Sequence, residues 1–143
     1  MAEPRPLILD THVWLWAVEG EADRLSRSAV AAIEAASVGG GIRIAAISVW
    51  EVAMLEARRR ISLSRPVLEW VRAALHAPGT RLIDLEPAIA IESARLPGSP
   101  VGDPADRMLI ASARFTGARL ATCDRAILEY GGSGHLDVLD ATP

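Results

Sequence analysis

The chain has 143 residues, half of them apolar, with 15 basic and 18 acidic side chains and a net charge of −3. A chain of that length and apolar content excludes disorder and fits one domain spanning residues 1–143 with a buried core. All the basic residues are arginine, which excludes P-loop and Schiff-base chemistry, since both need a lysine.

The N-terminal Met-Ala-Glu-Pro-Arg-Pro lacks the basic-then-apolar order of a secretion signal, and no apolar run reaches membrane-spanning length. The expectation is a cytoplasmic protein without a membrane partner. A single Cys123 excludes an internal disulfide and fits a reducing compartment.

Leu7-Ile8-Leu9 is a short apolar run ending on Asp10, with Pro4 and Pro6 keeping the lead-in extended. Without alternation, it reads as a strand buried on both faces, as in a parallel sheet. Thr11 to Trp16 turns into a short helix that fades by Glu19-Gly20. Ser26 to Ala36 is amphipathic, and Val38-Gly39-Gly40-Gly41 ends it. Those glycines read as a plain loop, because no lysine and no immediate helix start follow them.

Ile42 to Ile47 reads as the second strand. Ser48 then opens a helix running to about Arg60, with Glu51 completing a capping box. Arg58-Arg59-Arg60 closes that helix, where cations offset the macrodipole. Ser64-Arg65-Pro66 starts a helix that runs to Leu75, and Pro78-Gly79 stops it. Leu82 to Leu85 is the third strand, and Glu86-Pro87 begins a helix reaching Leu96. Pro97-Gly98-Ser99-Pro100 is an exposed loop.

Asp103-Pro104 opens the next helix, with Asp103 as cap, and Gly117 ends it. Arg119 to Thr122 is the fourth strand, Asp124 follows it, and Ala126 to Tyr130 is a short helix. Gly131 to Gly134 reads as a turn and Leu136 to Leu139 as the last strand. Strands alternating with helices predict an α/β fold: one three-layer α/β/α domain on a central, largely parallel sheet.

In such sheets, sites form outside the carboxyl ends of the strands. Asp10 and Asp124 follow the first and fourth strands, and Glu51 sits in the first turn after the second. Asp103 and Asp106 open the helix that feeds the fourth. Taken singly, Asp10 and Asp124 read as ordinary turn residues, Glu51 as the return half of its capping box, and Asp103 and Asp106 as a cap and its reciprocal partner. Such capping is worth a few tenths to about 1 kcal/mol per acid. It does not account for five acids on one sheet edge, where like charges repel unless a cation sits among them. Carboxylates without a His or Cys set suit Mg²⁺ or Mn²⁺ rather than zinc, and His12, His76 and His135 show no zinc spacing. A divalent ion so held fits phosphodiester hydrolysis. Thr11, Ser48 and Thr122 stand beside the acids, either orienting water or phosphate or making ordinary turn bonds.

Four segments carry a resemblance to the PIN-domain nucleases, and within them to the toxin ribonucleases of VapBC toxin–antitoxin pairs. They are Leu-Asp-Thr-His-Val-Trp-Leu-Trp (9–16), Ile-Ser-Val-Trp-Glu-Val-Ala (47–53), Asp-Pro-Ala-Asp-Arg-Met-Leu-Ile-Ala-Ser-Ala (103–113) and Leu-Ala-Thr-Cys-Asp-Arg (120–125). The resemblance implies a PIN-like fold and an acidic quartet at Asp10, Glu51, Asp106 and Asp124. It also implies a Mg²⁺- or Mn²⁺-dependent endoribonuclease acting on RNA, a homodimer, and a small VapB-like antitoxin, with DNA met only through that antitoxin. Both Asp103 and Asp106 occur in similar sequences. The Asp-x-x-x-Ile/Leu-Ala pattern aligns on Asp106, leaving Asp103 mainly as the cap and as an outer metal ligand. A basic residue is common just before this segment; here Gly102 stands in its place.

Trp14, Trp16, Trp50 and Trp70 read as core or interface rather than base-stacking residues, Arg58–Arg60 as a solvated helix end, and Cys123 as a small packed residue. Three rivals remain beside the ribonuclease. A receiver-type aspartyl phosphotransfer site fails for want of its lysine. A haloacid-dehalogenase pattern fails because His12 stands where its second aspartate belongs. A non-catalytic PIN-fold module, its acids receiving a partner's arginines, stays open.

Overall fold

The computed structural model describes residues 5–143. It forms one sheet from β1 (Leu7–Leu9), β2 (Ile42–Ala45), β3 (Thr80–Ile83), β4 (Arg119–Thr122) and β5 (Val138–Asp140). The order is β3-β2-β1-β4-β5, and every neighbouring pair is parallel. The expected reading of Pro4 and of the first three residues lies outside the described segment. Among the described residues, seven α-helices connect the strands: α1 (Thr11–Val18), α2 (Arg27–Val38), α3 (Ala46–Ala57), α4 (Val67–Leu75), α5 (Pro87–Ser93), α6 (Pro104–Thr116) and α7 (Arg125–Gly132). A 3-10 turn at Ala22–Arg24, without a counterpart in the sequence reading, joins α1 to α2.

Both faces of the sheet are covered, which is why the central β1 run, Leu7-Ile8-Leu9, is apolar and buried throughout. Leu7, Leu9, Ile42, Ile44 and Ala121 face one core, built with α1, α2 and α4 around Trp14 and Trp70. The Trp14 and Trp70 rings meet edge to face at 5.1 Å. Ile8, Ala45 and Leu120 face the other, with Ile89 of α5, Leu109 and Ile110 of α6, and Ile127 of α7. The expected three-layer α/β/α architecture is the observed one. No helix among the described residues is long and apolar enough to cross a membrane.

Several boundaries move. β2 stops at Ala45, its last residue in register with β3, and α3 begins at Ala46. The Ser48–Glu51 capping box therefore does not exist: the N-cap is Ala45, and Ser48 is fully buried inside the helix. α4 starts after Pro66 without a side-chain cap, while the Ser64 N–H donates to Glu19 Oε1 at 3.1 Å. β3 lies two residues earlier than expected. As an edge strand it leaves Leu82 exposed, and Leu85, beyond its end, is exposed as well, so the apolar spacing carried no inward signal. α5 ends at Ser93 rather than Leu96, and β5, at Val138–Asp140, starts two residues later and ends one residue later than expected.

Gly131 and Gly132 belong to α7 rather than to a turn. Glycine is needed at 131 because a Cβ there would sit 2.6 Å and 2.8 Å from the two γ-carbons of Val138. The helix thus rests directly on β5. Gly131→Ala is expected to cost about 1–3 kcal/mol through overpacking, read as a lower thermal midpoint. Adding Val138→Ala, which removes both clashing carbons, should recover part of the loss. A single variant as stable as the parent would refute this close approach.

Candidate active site

β1 is the switch point of the sheet, with β2 on one side and β4 on the other. The crevice at such a point is where ligands bind in open α/β sheets. Asp10 leaves β1 and caps α1, its Oδ1 accepting the Thr11 N–H at 2.6 Å. Its Oδ2 accepts the Thr122 hydroxyl at 2.6 Å. Thr122, the last residue of β4, accepts in turn the Asp124 N–H at 3.0 Å. Asp124 caps α7 through the Ile127 N–H at 3.1 Å. One buried hydroxyl thus couples the ends of the two central strands.

Glu51 comes from the second turn of α3. Its Oε1 accepts the Thr11 hydroxyl at 2.8 Å, and Ser48 Oγ lies 3.1 Å from that same oxygen of Thr11. Thr11 is the donor toward both, and since a hydroxyl has one proton the shorter bond to the carboxylate takes it. Thr11, Ser48 and Thr122 are all buried. They therefore hold carboxylates or one another instead of presenting hydroxyls to water or phosphate.

Asp103 and Asp106 divide their roles. Asp103 is exposed and caps α6 by accepting the Asp106 N–H at 3.0 Å. Asp106 is half-buried, and its carboxylate makes no hydrogen bond among the described residues. The reciprocal half of a capping box is absent, so capping does not explain Asp106.

The charges of the five acids reach one another. Burial raises the Asp10 pKa against the pull of its bonds from Thr122 and Thr11 and of nearby His12, and Asp124 raises it further. Burial raises Glu51 too, with Asp10 and Asp103 adding to the rise and the Thr11 bond opposing it. Asp106 is pushed up to about 7 by burial and then by Asp103, Asp10, Asp124 and Glu51. Among the described residues, no basic side chain offsets that repulsion at Asp106. The donor set, oxygen-only and excess in negative charge, fits a hard divalent cation. No three acidic, His or Cys side chains among the described residues are gathered closely enough to form a finished metal cage. Mg²⁺ does not require one, since it keeps several waters and binds through one or two carboxylates.

The tryptophans separate. Trp14 and Trp70 are core, and Trp16 is half-buried beside His12 with the Arg24 guanidinium 5.6 Å from its ring centroid. Trp50, adjacent to Glu51, is 55% exposed and is not a core residue. Arg58–Arg60 are exposed at the end of α3, as expected of a solvated helix end. Burial raises the Cys123 thiol pKa, consistent with an unreactive packed residue. Arg107 was missed in the sequence. It follows Asp106 but turns away from the acids, donating to the carbonyls of Ser93 and Val101. No spacing rule marks an arginine that binds only backbone.

A five-stranded parallel sheet with acids at its switch point defines an α/β domain with a candidate acidic site at the carboxyl ends of its strands. The PIN domain family matches residues 7–132, and the chain belongs to that family. Among curated proteins it is 40% identical over 124 residues to Ribonuclease VapC22 of Mycobacterium tuberculosis, covering 87% of this chain and 91% of that protein. Its fold is similar to a chain of VapBC2 from Rickettsia felis bound to a promoter DNA fragment. The TM-score is 0.67 at 15% identity, over 94% of this chain and 98% of that one. It is also similar to a chain of DNA-bound VapBC from Salmonella typhimurium. There the TM-score is 0.63 at 17% identity, over 95% and 98% of the two chains.

Proposed function

We propose that this protein is a Mg²⁺- or Mn²⁺-dependent endoribonuclease and the toxin of a type II toxin–antitoxin pair. The observation that carries the reading is the half-buried Asp106 carboxylate, which has no hydrogen bond among the described residues and whose pKa is raised first by burial and then by Asp103, Asp10, Asp124 and Glu51. A site that strains its own carboxylates is arranged for a cation that is absent from its own side chains. The identity to a named ribonuclease over most of the chain supplies the reaction class.

Asp10, Glu51, Asp106 and Asp124 would hold the ion, with Asp103 as an outer ligand. When bound, such an ion supplies an activated water and charge stabilisation for in-line displacement at phosphorus. The chain's own contribution is placement. Thr122 turns one Asp10 oxygen toward β4, and Thr11 fixes Glu51 against α1. Because both hydroxyls are buried, neither is free to compete with substrate. The partners in this reading are an RNA substrate, a second copy of the chain and a small VapB-like antitoxin, with DNA reached only through the antitoxin. The VapBC complexes among the structural neighbours support that partner.

The absence of a finished metal cage among the described residues favours one second reading, a non-catalytic module whose acids receive a partner's arginines. The deciding experiment incubates the purified protein with single-stranded RNA, with Mn²⁺ or with EDTA. Cleavage that requires Mn²⁺ and is inhibited by the co-expressed small neighbouring gene product is expected. Intact RNA with Mn²⁺, alongside tight binding of an arginine-bearing partner, would establish the module instead.

A further inference from the structure

Arg107 is a half-buried arginine without a carboxylate partner among the described residues. Its Nε donates to the Ser93 carbonyl at 2.8 Å, at the C-terminus of α5. Its Nη1 donates to the Val101 carbonyl at 3.1 Å, two residues before Asp103. One planar fork therefore spans the start and end of the α5–α6 connection from a helix that begins beyond it. A cation at a helix C-terminus is favoured there, because the last carbonyls lack partners within the helix.

Two further contacts fix the middle of the same connection. The Tyr130 hydroxyl, from α7, donates to the Pro97 carbonyl at 2.8 Å. Gly98 has a φ of +73°, and a Cβ there would lie 3.0 Å from the His135 ring. The connection is thus held at Ser93, Pro97 and Val101, and it delivers the chain directly to Asp103 and Asp106. An exposed Pro-Gly-Ser-Pro segment would otherwise leave the entry to α6 free to shift.

We propose that Arg107 is a positioning residue: its fork across Ser93 and Val101 sets where the first turn of α6 presents Asp106 and Asp103 to the site. This rests on the ribonuclease reading above and deepens it. Arg107 touches no substrate in the proposal. It acts through the aspartates, so its loss changes how well the site takes a cation and turns over, and not how well RNA docks.

The experiment uses the full chain carrying Arg107→Gln, Arg107→Lys or Tyr130→Phe. Amide hydrogen exchange is measured first on metal-free protein. The expected result for Arg107→Gln is faster exchange confined to residues 94–106, with the β1 and β4 amides unchanged. The Mn²⁺ concentration for half-maximal thermal stabilisation should rise about tenfold, about 1.4 kcal/mol. In cleavage, kcat should fall with KM for RNA unchanged. Arg107→Lys should not rescue, since a point charge cannot span both carbonyls; Tyr130→Phe should show a smaller effect of the same kind. Parental exchange over 94–106 would overturn the proposal. So would a KM effect alone, which would make Arg107 an RNA contact, or full rescue by lysine. Failure of the ribonuclease reading shows separately, as no cleavage by the parent protein, while the metal-free exchange result still decides the clamp.

Discussion

Asp106→Asn is expected to lower Mn²⁺-dependent RNA cleavage roughly a thousandfold, about 4 kcal/mol of transition-state stabilisation. The fold should survive, because the Asp106 carboxylate makes no hydrogen bond among the described residues and sits in a helix whose cap is Asp103. In the metal-free protein the variant should be more stable than the parent at pH 8, since it removes the charge that four neighbours repel. Loss of activity with a gain of stability separates a functional carboxylate from a structural one. Asp103→Asn is the control. Asparagine caps a helix about as well as aspartate, so stability should hold and cleavage should fall less than about tenfold. A thousandfold loss in Asp103→Asn with an active Asp106→Asn would assign the direct ligand to Asp103.

Mn²⁺ at about 100 times its dissociation constant should raise stability by about 2.7 kcal/mol, a shift of roughly 5–10 °C for a domain of this size. The pH dependence tests the cause. Asp106 titrates near 7 in the folded protein against 3.8 for the free side chain. Between those values the native state holds a proton that the unfolded chain has released. Its stabilising contribution is therefore complete below pH 3.8 and is lost as pH rises through 7. Asp10 and Glu51, also raised, act in the same direction. Metal-free midpoints should fall from pH 5 to pH 8, and Asp106→Asn should flatten that fall. Mn²⁺ needs ionised carboxylates, so its stabilisation should be larger at pH 8 than at pH 5. A Mn²⁺ shift independent of pH, or absent at millimolar metal, would count against a cation among these acids.

The fold was largely legible because its signals are local. Leu7-Ile8-Leu9 and Arg119–Thr122 read as buried strands from composition alone, and the Asp103-Pro104 start and Gly117 stop of α6 were placed correctly. β3 was misplaced because an edge strand buries too little to print a pattern. The start of α3 was misplaced because Ser48 and Glu51 satisfy a capping rule that the chain does not use. At the site, the identities of the five acids were legible and their jobs were not. Asp10 and Asp124, read as possible turn residues, are caps, while Asp106, read as the reciprocal half of a capping box, donates its N–H to the Asp103 cap and returns no bond from its carboxylate.

What the sequence by itself determined is the alternation of strand and helix, the acid at the end of each relevant element, and the family to which those motifs belong. Each depends on residues close together in the chain, where propensity, capping and spacing act. What only the tertiary structure decided depends on distant residues meeting. The Thr122 hydroxyl reaches Asp10 across 112 positions, Thr11 reaches Glu51 across 40, and Arg107 spans an interhelical connection. The pKa of Asp106 is likewise a property of burial and of four charges, of which only Asp103 is its neighbour in the chain. Electrostatic energy depends on separation in space and on local dielectric, and neither can be read from one acid's place in the sequence.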